Sequence, residues 1–219
     1  MKPGKNTLCS WSGGKDSCYA LMQAKKNGYI PAVLLNVLNE AGKISRSHGI
    51  PAPILQLQSD AAGIPIHLIA SSWQNYEQEF TEALILLKQK HAVSYAVFGD
   101  IDLQAHRDWE EKVCRNAGLE AILPLWQQNR KGLVIDMLRS GIKTMIVSCN
   151  ELMGPDFIGR IIDEQCISDL EKVGVDVCGE NGEFHTLVFD CPLFAFPLAI
   201  KVLQKLNHEK YWFAELALQ

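Results

Sequence analysis

The sequence predicts an α/β protein with a parallel sheet in its first part and a smaller α+β region behind it. As far as about residue 126, short apolar runs alternate with segments of helical periodicity, the pattern of parallel strands joined by helices. Beyond that point the pattern shifts, and the chain ends in closely spaced segments with strand character. We therefore expect two domains, residues 1–126 and residues 127–219.

Composition excludes several broad classes of protein. The chain has 219 residues and a net charge of −4, which argues against a mainly nucleic-acid-binding protein. Its seven cysteines form no CxxC pair, so zinc ribbons and dithiol redox motifs have no support, and we expect a reducing, cytoplasmic setting. Residues 1–5 lack the apolar core of a signal peptide, and no apolar run is long enough to span a membrane.

The stretch SGGKDS, residues 12–17, lies between an expected strand at 7–11 and a helical segment. We call it the 12–17 loop. Gly13 and Gly14 let the backbone approach a ligand closely, and the start of a helix offers unpaired N–H groups to an anion. Lys15 adds a full positive charge, and Ser12 and Ser17 add hydroxyl donors. A capped Gly-Gly turn without a ligand is the alternative.

Two features of the 12–17 loop separate it from the common P-loop of kinases and GTPases. That motif requires a glycine where this chain has Cys9, and Ser or Thr where it has Asp16. Asp16 would also repel a phosphate unless a metal ion or helix N–H groups neutralise it.

The first domain continues as alternating strands and helices. We expect strands at 30–38, 65–70, 94–98 and 119–126, and helices at 52–62, 76–91 and 105–117. Ligands of such sheets lie beyond the carboxyl ends of the strands, so Asn36 would lie near the 12–17 loop and contact a nucleotide. His48, in the polar loop that follows, contacts ATP or substrate in one interpretation and is a solvated histidine in the other.

Gly99 and Asp100 follow the expected strand at 94–98 directly. Glycine permits close approach, and the carboxylate could hold Mg²⁺ or a substrate amine. Asp100 could instead cap a turn or helix. Arg107, at the start of the next helix, could pair with phosphate or with a neighbouring carboxylate.

The second region has a third polar stretch of interest. We expect helices at 133–139, 155–162 and 164–173, and strands at 144–149, 187–189, 199–206 and 211–218, with a hairpin turn at 207–210. Within GENGEFHT, residues 179–186, Glu183 and His185 alternate along an extended segment and face one side. They could bind Mg²⁺, capture ammonium or transfer protons, whereas Asn-Gly before a strand is also an ordinary hairpin signal.

Taken together, these stretches resemble those of one family. SGGKDSC (12–18) resembles the pyrophosphatase loop of the N-type ATP pyrophosphatases. With GDIDLQAHRDWEEKVC (99–114), GLEAILPLW (118–126) and GENGEFHTLVFDCPLF (179–194), the chain resembles the diphthine–ammonia ligase family. The resemblance implies a Rossmann-like sheet of the adenine nucleotide alpha hydrolase-like type and a smaller C-terminal substrate-binding domain.

The resemblance also implies a chemistry, in which ATP adenylates a carboxylate and ammonia then displaces AMP. In the enzyme that gives the family its name, the carboxylate belongs to diphthine, a modified histidine of elongation factor 2. That acceptor exists in archaea and eukaryotes, and bacterial relatives of the family must act on another one. The 12–17 loop, Asn36, His48 and Gly99 would then bind ATP, and Asp16 and Asp100 would act through Mg²⁺. The catalytic candidates are Lys15, Asp16, Asp100, Glu183 and His185, and the substrate-binding candidates are Arg107, Glu180, Asn181 and Gly182.

Two other functions stay open at this point. An ATP-binding sensor without turnover needs only the glycine loop and the helix start. A tRNA-modifying enzyme that inserts sulfur would use the same type of loop, commonly with catalytic cysteines and a basic surface. We expect ATP, ammonium and a carboxylate acceptor as partners, with no membrane and no nucleic acid, and a homodimer is left open.

Overall fold

A computed structural model describes residues 5–219 of the chain. The prediction that no signal peptide precedes the first domain concerns residues 1–5 and so falls almost wholly outside the described residues. Among residues 5–219, no helix combines the length and apolar character that crossing a bilayer requires.

The first sheet has five parallel strands: β1 (Asn6–Ser10), β2 (Ile30–Leu38), β3 (Ile66–Ala70), β4 (Tyr95–Val97) and β5 (Glu120–Ile122). Their order is β3-β2-β1-β4-β5, and every neighbouring pair is parallel. The predicted α/β class is thereby confirmed. Because β1 lies between β2 and β4, the chain changes direction across the sheet there, and ligands of open parallel sheets bind at such a switch point.

Four helices connect these strands: α1 (Lys15–Lys26), α2 (Ala52–Ala62), α3 (Tyr76–His91) and α4 (Gln104–Ala117). Proline near the start and a left-handed Gly63 (φ 64°) after the end fix α2, as the sequence indicated. The apolar stripe of α3 is buried core, with Phe80 and Leu84 almost fully covered.

The second sheet is antiparallel and contains β6 (Lys143–Asn150), β7 (Phe184–Asp190), β8 (Ile200–His208) and β9 (Tyr211–Leu218) in the order β7-β6-β9-β8. The helices α5 (Arg130–Arg139) and α6 (Glu164–Lys172) belong to the same part of the chain. The predicted hairpin is confirmed, since β8 and β9 pair on either side of a two-residue turn, Glu209 and Lys210.

Two sequence predictions about elements were wrong. The expected helix at 155–162 is a single 3₁₀ turn, Pro155–Phe157, after which Gly159 takes φ 83° and the chain runs extended beside β6. The expected strand at 119–126 ends at Ile122, before Pro124, which has no N–H to continue a ladder. In both places glycine or proline ended an element that apolar spacing alone would have extended.

One hydrophobic cluster joins the two sheets. Trp11 and Leu21 of the first part pack in the same cluster as Ile146 and Leu187 of the second. The strand β7 also lies directly on the 12–17 loop. The division of the chain at residue 126 therefore stays a prediction about domains that share a core.

Gln58 of α2 connects the 12–17 loop to β7. Its side chain is fully buried, its Nε2 donates to the carbonyl oxygens of Gly13 (3.0 Å) and Val188 (2.7 Å), and its Oε1 accepts from Trp11 Nε1 (2.9 Å). The amide thus pairs three buried groups from two segments, residues 11–13 and β7. Sequence reasoning treated this position as part of an ordinary helix.

Replacing Gln58 with alanine should destabilise the protein by about 3 kcal/mol, because the buried Trp11 Nε1 loses its acceptor and two buried carbonyls each lose a donor, and an unpaired buried group costs about 1–3 kcal/mol. The Gly13 carbonyl keeps a second donor, the backbone N–H of Val188. Urea unfolding measures the effect. Gln56→Ala is the matched control, since Gln56 lies exposed on the same helix and bonds only to Asp60. Equal unfolding midpoints for the two variants would contradict this role for Gln58.

Candidate active site

A cavity of about 550 Å³ lies at the carboxyl ends of β1 and β4. All three stretches that the sequence singled out contribute to its wall. The lining residues among the predicted site residues are Ser12, Lys15, Asp16, Ser17, His48, Gly99, Asp100, Glu180, Asn181, Gly182 and His185.

The 12–17 loop has the predicted position between β1 and α1. Gly13 takes φ 85°, which favours glycine, and a Cβ on Gly14 would lie 2.5 Å from Cε1 of His48. The Ser17 hydroxyl donates to the carbonyl of Gly14 (3.1 Å). The backbone N–H of Lys15 donates to Thr186 Oγ1 (3.0 Å), so β7 already occupies one of the helix-start donors.

The Lys15 side chain is held at the wall of the cavity with only 3% of its surface exposed. Its Nζ donates to Asp16 (2.8 Å) and to the carbonyl oxygen of Cys178 (2.5 Å). Burial lowers the pKa of Lys15, but the adjacent Asp16 carboxylate outweighs it and raises the pKa above the usual value. Lys15 therefore carries a positive charge in the folded protein.

Asp100 is the first member of a hydrogen-bonded chain of ionisable groups. Its Oδ1 accepts from His106 Nδ1 at 2.7 Å, which raises the pKa of His106. Burial would raise the pKa of Asp100, but hydrogen bonds from His106 and Glu110 lower it overall. Glu110 is 3% exposed, and burial and Asp100 raise its pKa to about 11, so it holds a proton. His106 and Glu110 were missed from sequence, although their i,i+4 spacing on α4 puts them on one face.

Glu180 faces the same cavity from the 176–183 loop, the segment between α6 and β7. Burial raises its pKa to about 7, and the negative charges of Asp16 and Asp100 add to the effect. Three carboxyl groups thus converge on one cavity, with Lys15 as the cation closest to Asp16. Such a cavity attracts a cation, whose binding would favour the ionised form of Glu180.

His48 and His185 form a pair of neutral imidazoles at the cavity wall. Their ring centroids are 4.7 Å apart, and His48 Nδ1 lies 2.7 Å from the carbonyl oxygen of Thr186. Since a carbonyl only accepts, Nδ1 carries the proton and Nε2 is an acceptor. Burial lowers the pKa of His48 to about 4 and that of His185 to about 3. The geometry therefore excludes the interpretation of His48 as a solvated loop histidine.

Asn36 lines a smaller pocket of about 80 Å³ that shares Ser12 and His48 with the main cavity. Its Nδ2 donates to the carbonyl of Trp11 (2.7 Å), whereas its Oδ1 is buried without a hydrogen-bond partner. A buried acceptor without a partner is costly unless a ligand donates to it. The pocket can therefore take a donor group of a nucleotide.

Five predicted site residues do not line the main cavity: Gly13, Gly14, Asn36, Arg107 and Glu183. Arg107 donates to Glu111 (2.8 Å) and stacks on the ring of Trp126, the neighbouring-carboxylate alternative that the sequence left open. Glu183 accepts from the backbone N–H groups of Asp176 and Asn181, so its carboxylate is used to shape its own loop. The Asn181-Gly182 turn does not join two strands of a hairpin, because the element before β7 in the chain is the helix α6.

Gly99 is required by the close packing of α1. A Cβ at this position would lie 2.8 Å from the carbonyl carbon of Asp16 and from the nitrogen of Ser17.

Gly99→Ala should therefore push the 12–17 loop away, destabilising the protein by about 1–3 kcal/mol and weakening ATP binding at least tenfold. Unfolding and calorimetric ATP titration check this. Gly132→Ala, which faces only the Asn129 side chain, should leave ATP binding unchanged; equal ATP affinities in both variants would refute the packing argument.

Comparison with known proteins identifies the family. Residues 5–121 match the diphthamide synthase N-terminal domain, and residues 131–218 match the diphthamide synthase C-terminal domain. The chain belongs to the diphthamide synthase family. Relatives named diphthine–ammonia ligase are 30% identical in human and 29% in mouse, each over 94% of this chain and 86% of the relative. The fission yeast relative is 26% identical over 90% of this chain and 36% of its own length. The resemblance seen in the motifs is confirmed, and with it the predicted enzyme class, an ATP-dependent ligase.

Proposed function

We propose that this chain is a diphthine–ammonia ligase that forms an acyl-adenylate and converts it to an amide. The observation that carries the proposal is the meeting of the 12–17 loop, Asp100 and the 176–183 loop around one cavity. A nucleotide loop, a cation-attracting set of carboxyl groups and neutral imidazoles then line one cavity. Membership of the family and the names of its members support the choice of substrate.

In the first step, a carboxylate oxygen of the acceptor attacks the α-phosphorus of ATP and pyrophosphate leaves. The 12–17 loop binds the phosphates, and Lys15 stabilises the negative charge that builds up on the leaving group. Asn36 Oδ1 accepts from the nucleoside in the adjoining pocket. The acceptor is the carboxylate of diphthine on elongation factor 2.

In the second step, the nitrogen of ammonia attacks the acyl carbon, the bond to the phosphate oxygen breaks, and AMP leaves. Glu180 and Asp100 attract ammonium into the cavity by their charge. The attacking nitrogen must lose protons, and Nε2 of His48 is a neutral acceptor at the cavity wall. Overall, carboxylate, ATP and ammonium give amide, AMP, pyrophosphate and a proton.

Mg²⁺ fits this cavity as a companion of ATP rather than as a resident ion. Within residues 5–219, no three His, Cys, Asp or Glu side chains are arranged to hold a metal by themselves. Magnesium usually binds through one or two carboxylates together with substrate phosphates. Asp16 and Asp100, which both line the cavity, meet that need, and the ion would neutralise phosphate charge there.

The chain offers little for the alternative of sulfur insertion into tRNA. All seven cysteines are buried and free. Burial raises the pKa of Cys9, Cys114, Cys149 and Cys178 well above that of an ordinary thiol, so these side chains are poor nucleophiles at neutral pH.

The proposal is tested by incubating the protein with Mg-ATP, ammonium and purified elongation factor 2 carrying diphthine. AMP and pyrophosphate, formed only when all three substrates are present, are the expected products, and the acceptor gains an amide. ADP would mean γ-phosphate transfer and would exclude adenylation. Tight ATP binding without any nucleotide product would favour the sensor.

A further inference from the structure

Arg130, the first residue of α5, joins two segments that line the cavity. Its Nε and Nη2 donate to both carboxylate oxygens of Asp102 (2.7 and 2.6 Å), two residues beyond Asp100. Its Nη1 donates to Asp176 (2.5 Å) and reaches Asn181 Oδ1 (3.4 Å). One guanidinium thus links the segment after β4 to the 176–183 loop.

Asp176, the first residue of the 176–183 loop, also bonds to the backbone of that loop. Its two carboxylate oxygens accept from the backbone N–H groups of Cys178 (3.1 Å) and Glu180 (3.3 Å). The carbonyl of Cys178 in turn accepts from Lys15 Nζ, and the Cys178 thiol lies 3.0 Å from the carbonyl oxygen of Arg130. The 176–183 loop is therefore bound both to the side chain of Arg130, through Asp176, and to the backbone carbonyl of Arg130, through Cys178.

The contact has the geometry of a positioning element rather than of a surface ion pair. The Arg130 side chain is 26% exposed and that of Asp176 is 13%, so solvent screens them only in part. The pairing with Asp102 is bidentate, a geometry that lysine cannot reproduce. By contrast Lys131, the next residue on α5, pairs with Glu171 where both side chains are about half exposed.

We propose that Arg130 is a positioning residue for ammonium capture: it holds Glu180 at a fixed distance from Asp100 by tying the 176–183 loop to Asp102. The effect on KM for ammonium rests on the proposed function, whereas the fixing of the 176–183 loop rests on the contacts alone. The backbone of the 12–17 loop is held separately, by Gln58 and Thr186, and only the Lys15 side chain hydrogen-bonds to the 176–183 loop, through the carbonyl of Cys178. Loss of Arg130 should therefore affect ammonium capture far more than ATP binding.

The kinetic test compares Arg130→Ala, Arg130→Lys and Asp102→Asn with the matched control Lys131→Ala. The first three should raise KM for ammonium at least tenfold and leave KM for ATP within twofold. Lys131→Ala should change neither constant by more than twofold. Arg130→Lys retains the charge and should still fold if the alanine variant does not. Unchanged KM for ammonium in an active Arg130 variant would overturn the inference.

Amide hydrogen exchange tests the same inference without any turnover. In Arg130→Ala and Asp102→Asn, the Cys178 and Glu180 amides should exchange at least tenfold faster, while exchange in α2 stays as in the wild type. Equal exchange in the 176–183 loop for wild type and variants would overturn the positioning role, even if the wild-type protein formed no AMP. No AMP from the wild type, with faster exchange in the variants, would reject the proposed function and leave Arg130 as the residue that fixes the loop.

Discussion

Replacing Lys15 with alanine is expected to lower the rate of AMP formation by on the order of 10³-fold. The side chain is the buried cation of the 12–17 loop, and no other residue of that loop carries a positive charge. In the proposed mechanism its loss removes the charge that stabilises departing pyrophosphate. It also leaves Asp16 without its partner, so phosphate would meet a net negative wall. Quantifying AMP during single turnover measures the effect.

Stability must be separated from chemistry in this variant, because Lys15 also bonds to the carbonyl of Cys178. Lys15→Met keeps most of the apolar stem and should show the same loss of rate at a higher unfolding temperature. Lys26→Ala, at the exposed end of the same helix, is the matched control and should keep wild-type activity. A folded Lys15→Met protein with near-normal turnover would remove Lys15 from the mechanism.

Replacing Glu180 with glutamine should lower kcat/KM for ammonium about 100-fold above pH 7. Glutamine keeps the size of the side chain and removes the charge that attracts a cation into the cavity. The pKa of Glu180 is raised to about 7, mainly by burial and then by Asp16 and Asp100. In the wild type the ionised form is therefore lost as the pH falls through about 7.

The effect of the Glu180→Gln substitution should depend on pH, because only the ionised carboxylate attracts a cation. The ratio of wild-type to Glu180→Gln kcat/KM should be constant above pH 7 and fall about tenfold for each pH unit below it, since ionisation of ammonium affects both proteins equally. Glu164→Gln, on an exposed position of α6, should follow the wild-type profile. A ratio that does not change between pH 5.5 and pH 8.5 would show that the Glu180 carboxylate takes no part in ammonium capture.

The sequence alone predicted the first sheet and most of the cavity for a simple physical reason. Parallel strands buried on both faces read as apolar runs, and the polar residues that follow β1 and β4 must meet at one edge. The 12–17 loop and Asp100 could therefore be brought together before any coordinates. Glycine at 99 signalled the close approach to α1 that the structure contains.

The contacts across the cavity could not be predicted, because they depend on how the second sheet packs on the first. Gln58 and Arg130 carry no local signature, and each acquires its role from partners more than 25 positions away in the chain. Glu183 shows the opposite case, in which a clear local pattern predicted the wrong orientation of the carboxylate. Its alternation with His185 was visible, but the tight turn before it turns the carboxylate back to its own loop.

The central claim is that the acceptor carboxylate becomes joined to AMP. Acceptor protein whose diphthine carboxylate is labelled with oxygen-18 would be incubated with Mg-ATP and ammonium, and the nucleotide products weighed by mass spectrometry. Acyl-adenylate formation predicts one labelled oxygen in AMP and none in pyrophosphate, because the attacking oxygen stays on the α-phosphorus when ammonia displaces AMP. Label in inorganic phosphate together with ADP, or AMP without label, would contradict the mechanism proposed for this cavity.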